Sequence, residues 1–161
     1  MIEPAKTSDV IELANNMRAA DRREMVELTA QTPYWAAERS FSSSDVAFSA
    51  RSPAGELLTM FGAIRDNLLE ETAIIWSLST EAVDRNRLYF VRNTKAGFEM
   101  LAKSMPDVAQ FHNHVSLDYA GAVRWIEMIG GGISVRPPVG GICGGRFAEF
   151  WIMNPYYEGG R

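Results

Sequence analysis

Residues 76–90 read WSLSTEAVDRNRLYF, a short apolar strand that turns directly into a helix. Joins of this kind often hold phosphates, because the first turn of a helix presents unpaired N–H groups and the positive end of the backbone dipole. This one contains no glycine, and none occurs between Gly62 and Gly97. Upstream, Thr72 to Leu78 is nearly all apolar, as a strand buried on both faces is. Downstream, a helix is expected from about Glu81 to Ser104, ending before Pro106, which cannot continue a helix without losing a hydrogen bond.

Working outward, the hydrophobic period changes along the chain. Ile2 to Lys6 reads as a short first strand. Ser8 offers an N-cap to a helix with Val10, Leu13, Ala14 and Met17 on one stripe, broken near Asp21 and ending about Leu28. Thr32-Pro33 opens another helix, which fades in Ser42-Ser43-Ser44. Val46 to Ala50 and Leu57 to Ile64 alternate with period two around the turn Ser52-Pro53-Ala54-Gly55, an antiparallel hairpin. Val108 to Ser116 is a further strand. Asp118 to Ile129 is a helix with Ala122, Trp125, Ile126 and Ile129 on one face, stopped by three glycines. Strands near Ile133–Arg136 and Arg146–Met153 flank the loop PPVGGICGG. The fold class is α/β, a mixed sheet of about six to seven strands with helices on its faces.

With 161 residues, 47% of them hydrophobic, the chain is sized for one domain with a real core. It reads as a single domain over 1–161 with a short tail at 154–161. Tyr156 and Tyr157 make that tail either an interface anchor or a disordered end. A net charge of −4 argues against general nucleic-acid binding, which needs an excess of Lys and Arg. One cysteine, Cys143, permits no internal disulfide, in keeping with a reducing compartment. No apolar run approaches membrane-spanning length, and MIEPAKTSDV lacks a signal-peptide pattern, so cytoplasm is expected.

The element order, together with AGAVRWIEMIGG at 120–131, resembles the GNAT-type N-acetyltransferase fold. That fold's late helix carries N-x-x-A-x-x-x-Y-x-x-x-G-F. More narrowly, TPYWAAERSFSSSDVAFSA, TMFGA, WSLST and NHVSLDYAGAVRWIEMIGG resemble GNAT-like proteins that podophages encode beside their virion genes, named internal virion or scaffold-like proteins. Together these stretches span about Thr32 to Gly131. The resemblance implies a host cell's cytoplasm or the virion as location, and virion or assembly proteins as partners.

Against the enzyme pattern R/Q-x-x-G-x-G/A, which lets bare backbone touch the coenzyme A diphosphate, Arg85 fits the first position. Leu88 falls on the glycine and Phe90 on the small residue, so the loop reads as degenerate. Glu81 and Asp84 add negative charge to the first turn, while Arg85, Arg87 and Arg92 are either an offsetting anion site or a solvated helix face behind Thr80 as N-cap. With Ala122 and Gly130 as anchors, the proton-donating tyrosine maps to Ile126, the motif asparagine to Tyr119 and the closing phenylalanine to Gly131. Isoleucine donates no proton.

Other candidates are sparse. His112 and His114 share a strand face, but no third ligand at suitable spacing completes a metal site, so no metal is expected. If acyl transfer survives, one of these histidines is the natural base, with Glu149 the next candidate. Cys143 lies in a glycine-rich tip without a partner that would lower its pKa, and core packing accounts for Trp35, Trp76, Trp125 and Trp151. The leading expectation is therefore a non-catalytic GNAT-fold phage protein, without cofactor, acting through protein contacts in virion assembly. The alternative is an acetyl-CoA-dependent N-acetyltransferase that modifies a host or phage protein.

Overall fold

The structure, a computed structural model, describes residues 1–66 and 71–159. In chain order the elements are β1 (Ile2–Pro4), α1 (Thr7–Asn16), α2 (Ala19–Thr29), α3 (Pro33–Ser42), β2 (Val46–Arg51), β3 (Leu57–Arg65) and β4 (Thr72–Ser79). Then follow α4 (Ala82–Arg85), α5 (Arg87–Lys103), β5 (Gln110–Ser116), α6 (Ala120–Met128), β6 (Gly132–Ile133), β7 (Val139–Gly141) and β8 (Gly144–Met153). Among the described residues the sheet is mixed and eight-stranded, ordered β1-β2-β3-β4-β5-β8-β6, with β7 pairing β8; β4 and β5 run parallel. The extra strand, β7, lies inside the expected PPVGGICGG loop.

Pleating splits the core into two layers. Ile75, Phe98, Leu101, Phe111, Val115 and Ile126 pack between the sheet and helices α5 and α6. Val10, Leu13, Met17, Met60, Trp76 and Leu78 pack on the other face, under α1 and α3. Gly62 is required here: a Cβ would stand 2.5 Å from the Val46 carbonyl oxygen and 3.0 Å from the Trp76 ring. Among the described residues no helix is long and apolar enough to cross a membrane.

Several expectations need correction. The first helical run breaks at Met17–Arg18 rather than near Asp21, because Met17 bridges Thr80 and the Arg18 N–H donates to the Ser79 carbonyl at 2.9 Å. Ser8 lies inside α1, and its place at the helix start is taken by Lys6, whose N–H donates to Asp9 Oδ2 at 3.0 Å. The helix expected over 81–104 is two helices, divided at Asn86. Trp35 is 61% exposed against the edge of Tyr34, and Trp151 is also exposed, so core packing accounts for Trp76 and in part Trp125 alone. In the tail, Asn154 is buried and its amide donates to the carbonyls of Ala102, Met105 and Val108. Residues 160–161 lie outside the described residues.

Candidate functional site

The parallel pair holds together only at one end. Thr72, Ala73 and Ile74 register with Gln110, Phe111 and His112, whereas both strands run on to Ser79 and Ser116. Beyond Ile74 they diverge into a wedge. At the point of divergence the Asn113 amide donates to the Ile75 carbonyl at 2.7 Å, replacing the next ladder bond with a side chain. The groups of Ile75 and Ser79 that point away from β3 fix the alternation, so the N–H and C=O of Ser77 also face the wedge. Neither finds a partner across it among the described residues.

Two acids from α2 enter the wedge's open end. Asp21 Oδ1 accepts the Ser79 N–H of β4 at 3.3 Å, and Glu24 Oε1 accepts the Ser116 N–H of β5 at 3.2 Å. Each strand end is thus tied to one carboxylate of the same helix. Asp21 Oδ2 is fully buried and has no hydrogen-bond partner among the described residues. Burial pushes the Asp21 carboxyl up to about 7, and Glu24 adds to the rise although Arg18 and the Ser79 N–H oppose it. Burial raises Glu24 as well, with Glu27 contributing.

Arg18, at the break between α1 and α2, organises the rim. Its Nε and Nη2 grip Asp84 at 3.1 and 2.8 Å, and its Nη1 donates to the phenol oxygen of Tyr119, the residue that precedes α6. Because the guanidinium occupies the phenol's acceptor side, the Tyr119 O–H is left to donate outward. Burial raises the Tyr119 pKa, so the phenol stays protonated in neutral solution.

At the join to the helix, the described chain satisfies its own backbone first. The Glu81 N–H donates to the Asn16 carbonyl and the Ala82 N–H to the Thr80 hydroxyl. Glu81 is the N-cap of the four-residue α4 and Asp84 lies within it, neutralised by Arg18. The long helix begins one residue later. Its N-cap, Asn86, makes no side-chain cap, its first turn carries no acid, and the N–H groups of Arg87, Leu88 and Tyr89 find no acceptor among the described residues. The expected acidic first turn is thus not the turn that faces the open backbone. Leu88 projects outward at 73% exposed, and Phe90 turns inward onto Leu58, Ala82 and Val83. Arg85 is held by Glu56 at 2.8 Å.

The sequence-derived base candidates lie elsewhere. His112 sits at the closed apex, bound to Asp66 at 2.7 Å. His114 registers with Glu149 on β8 and both are exposed. Ile126 is 2% exposed in the core, which bars it from any proton transfer. Cys143 is exposed at the β7–β8 tip, its N–H on the Glu27 carbonyl. Among the described residues no three His, Cys, Asp or Glu side chains stand close enough to hold a metal. Sequence reading missed Asp21, Glu24 and the proximity of Tyr119 to Arg18. The available signal was an acid pair at i,i+3 just after a helix break.

No family model and no curated protein matches this sequence. Solved structures do match in fold. Spermidine N-acetyltransferase from Vibrio cholerae, in complex with CoA and spermine, superposes with a TM-score of 0.69 at 12% identity, covering 98% of this chain and 96% of that one. A GNAT-superfamily phosphinothricin acetyltransferase from Sinorhizobium meliloti, in complex with acetyl-CoA, gives 0.70 at 11%, covering 98% and 90%. The ribosomal-protein-S18-alanine N-acetyltransferase from Escherichia coli gives 0.62 at 14%, covering 96% and 93%. The chain has the GNAT N-acetyltransferase fold. These likenesses overturn the expectation of a non-catalytic, cofactor-free virion protein: the three structures named are N-acetyltransferases, two of them holding CoA or acetyl-CoA. Ile126 remains unable to give a proton, but the α5 terminus is uncapped and the Tyr119 phenol stands beside Arg18 at the wedge.

Proposed function

We propose that this protein is an acyl-CoA-dependent N-acyltransferase, with acetyl-CoA as the reference donor and a primary amine of a host or phage protein as acceptor. One observation carries the reading: Asp21, tied to the Ser79 N–H at the open end of the wedge, keeps its second carboxylate oxygen without a partner among the described residues, with a pKa raised to about 7. A base poised near neutrality is what amine acylation needs, because the acceptor arrives as an ammonium ion and attacks only once deprotonated.

The residues suit the cofactor. The open N–H groups at Arg87, Leu88 and Tyr89, with the Arg87 guanidinium, would hold a diphosphate, and the unpaired Ser77 backbone would bond a pantetheine amide as an added strand does. CoA, when bound, supplies the acyl group as an activated thioester. Asp21 and Glu24 attract the acceptor ammonium into the wedge, and the Asp21 carboxylate takes its proton. Tyr119 holds a proton at its phenol oxygen, oriented by Arg18, for the departing sulfur. The narrower resemblance to podophage-encoded proteins supports an infected cell's cytoplasm as the setting.

The test is to incubate the protein with acetyl-CoA and an extract of phage-infected cells, and to follow thiol release and new acetyl-lysine or acetylated N-termini by mass spectrometry. Amine-dependent thiol release with acetylated protein is the expected result. Absence of both, with no change in melting temperature at millimolar CoA, would sink the proposal.

A further inference from the structure

Beneath α5 lies a cavity of about 300 Å³ that the acyl-transfer chemistry does not account for. It begins at the wedge, where Ile75 and Ser77 of β4 and Trp125 of α6 line it, and runs across the α5 face of the sheet past Phe61 to Ala50 and Ile2 at the other edge. Crossing from β4 to β1 spans three strand spacings, roughly 14 Å. A hollow of this size between a helix and a sheet leaves its lining short of packing partners, since interiors otherwise pack to the density of organic crystals.

The wall is hydrocarbon. Leu58, Phe61, Ile75, Phe90, Phe98 and Leu101 supply most of it, and at the β1 end the Met1 ammonium donates to the Arg51 carbonyl and the Tyr89 phenol while the Arg51 guanidinium is held by Glu12. Thr59 Oγ1 donates to the Leu78 carbonyl and meets Ser77 Oγ at 3.0 Å. Thr94 Oγ1 donates to the Phe90 carbonyl and accepts from the Trp125 indole at 3.3 Å, a bond that spans α5 and α6 at the wedge end. The Asn93 amide donates to the Tyr89 carbonyl. An apolar guest would leave all of these bonds in place. Gly97 keeps the roof open, since α5 presents no side chain there.

From this we infer that the donor's acyl group is a straight saturated chain of medium length, about eight carbons, which leaves the thioester at the wedge and lies in the cavity under α5. The inference rests on the acyltransferase reading and deepens it by naming the donor class. An acetyl group would leave the cavity empty.

The experiment is a binding series on the unaltered protein by isothermal titration, with free CoA and acetyl-, butyryl-, hexanoyl-, octanoyl- and decanoyl-CoA below their micelle concentrations. Affinity is expected to rise about fourfold per methylene up to the octanoyl chain and then level off. The companion variant is Gly97→Leu. A Cβ at Gly97 meets only Phe61 and Ile2, at 3.4 and 3.5 Å, so the side chain enters the cavity without a backbone clash. It should abolish the chain-length gain and leave free CoA binding within twofold. Equal affinity from acetyl to decanoyl, with free CoA bound, would overturn the chain-length proposal while the acyltransferase reading stands. Failure of every CoA form to bind would overturn both. The wild-type series decides the matter even if Gly97→Leu does not fold.

Discussion

Asp21 and Ser79, 58 residues apart, meet at the mouth of the wedge: the Ser79 N–H donates to Asp21 Oδ1 at 3.3 Å, which fixes the carboxylate and leaves Oδ2 buried and unpaired among the described residues. That contact ties an acid of α2 to the strand that a pantetheine arm would extend, and it has a cost in stability as well as a use.

The cost is visible in pH. The Asp21 pKa is about 7 in the folded chain against 3.8 without burial, so between these values the folded state holds a proton that the unfolded state releases. Its contribution is therefore full below about pH 4 and is lost as pH rises through about 7. Asp21→Asn removes the dependence. Denaturant titrations at pH 5 and pH 8.5 should show the variant gaining on the wild type by an amount on the order of 3 kcal/mol between the two. An equal gap at both values would mean that Asp21 ionises freely.

Tyr119→Phe keeps the ring over the Arg18 guanidinium but deletes the phenol proton. Turnover with acetyl-CoA is expected to drop by about 10²-fold, with the affinity for free CoA unchanged. Circular dichroism melts within a few degrees of wild type would attribute the loss to chemistry. Undiminished turnover would remove Tyr119 from the mechanism.

Leu88 and Arg87 test the donor terminus from two sides. Since Leu88 projects into solvent, Leu88→Gly should not improve CoA binding by more than about twofold, and its loss of helix propensity costs about 1 kcal/mol of stability. Arg87→Glu should weaken CoA binding by about tenfold at low salt, by reversing charge at the uncapped turn. A tenfold gain for Leu88→Gly would show that the leucine blocks the diphosphate.

Asn154 makes the C-terminal segment part of the core. Its single amide serves three carbonyls at the α5–β5 connection, and its Oδ1 accepts the Tyr156 N–H at 2.9 Å. Asn154→Ala strands those buried groups and should cost about 2–4 kcal/mol in urea denaturation. A loss under 1 kcal/mol would show that water replaces the amide.

Much of the fold was legible because its signals are local. Thr32-Pro33 caps α3, with the Trp35 N–H on the Thr32 hydroxyl, and the period-two runs around Gly55 pair as β2 and β3. The split at Asn86 was not legible, since VDRNRLYF keeps a helical pattern and only the Asn86 geometry breaks it. The site was harder still. In AADRREMVELT the acids read as a solvated face, and only the Met17–Thr80 bridge turns Asp21 and Glu24 toward the strand ends. Ile126 was rightly seen as unable to give a proton. A motif alignment could not reveal that Tyr119, on the asparagine position, reaches Arg18 across 101 residues.

The central claim is that Asp21 is the base of an N-acyl transfer conducted in the β4–β5 wedge. Its most direct test is the pH dependence of kcat/KM for amine-dependent thiol release, measured on the wild type and on Asp21→Asn between pH 5.5 and 9. The wild-type rate is expected to climb with pH to a plateau above about 7, and the variant to be slower by about 10²-fold or more and to lack this limb. A variant that retains both the rate and the limb would contradict the claim.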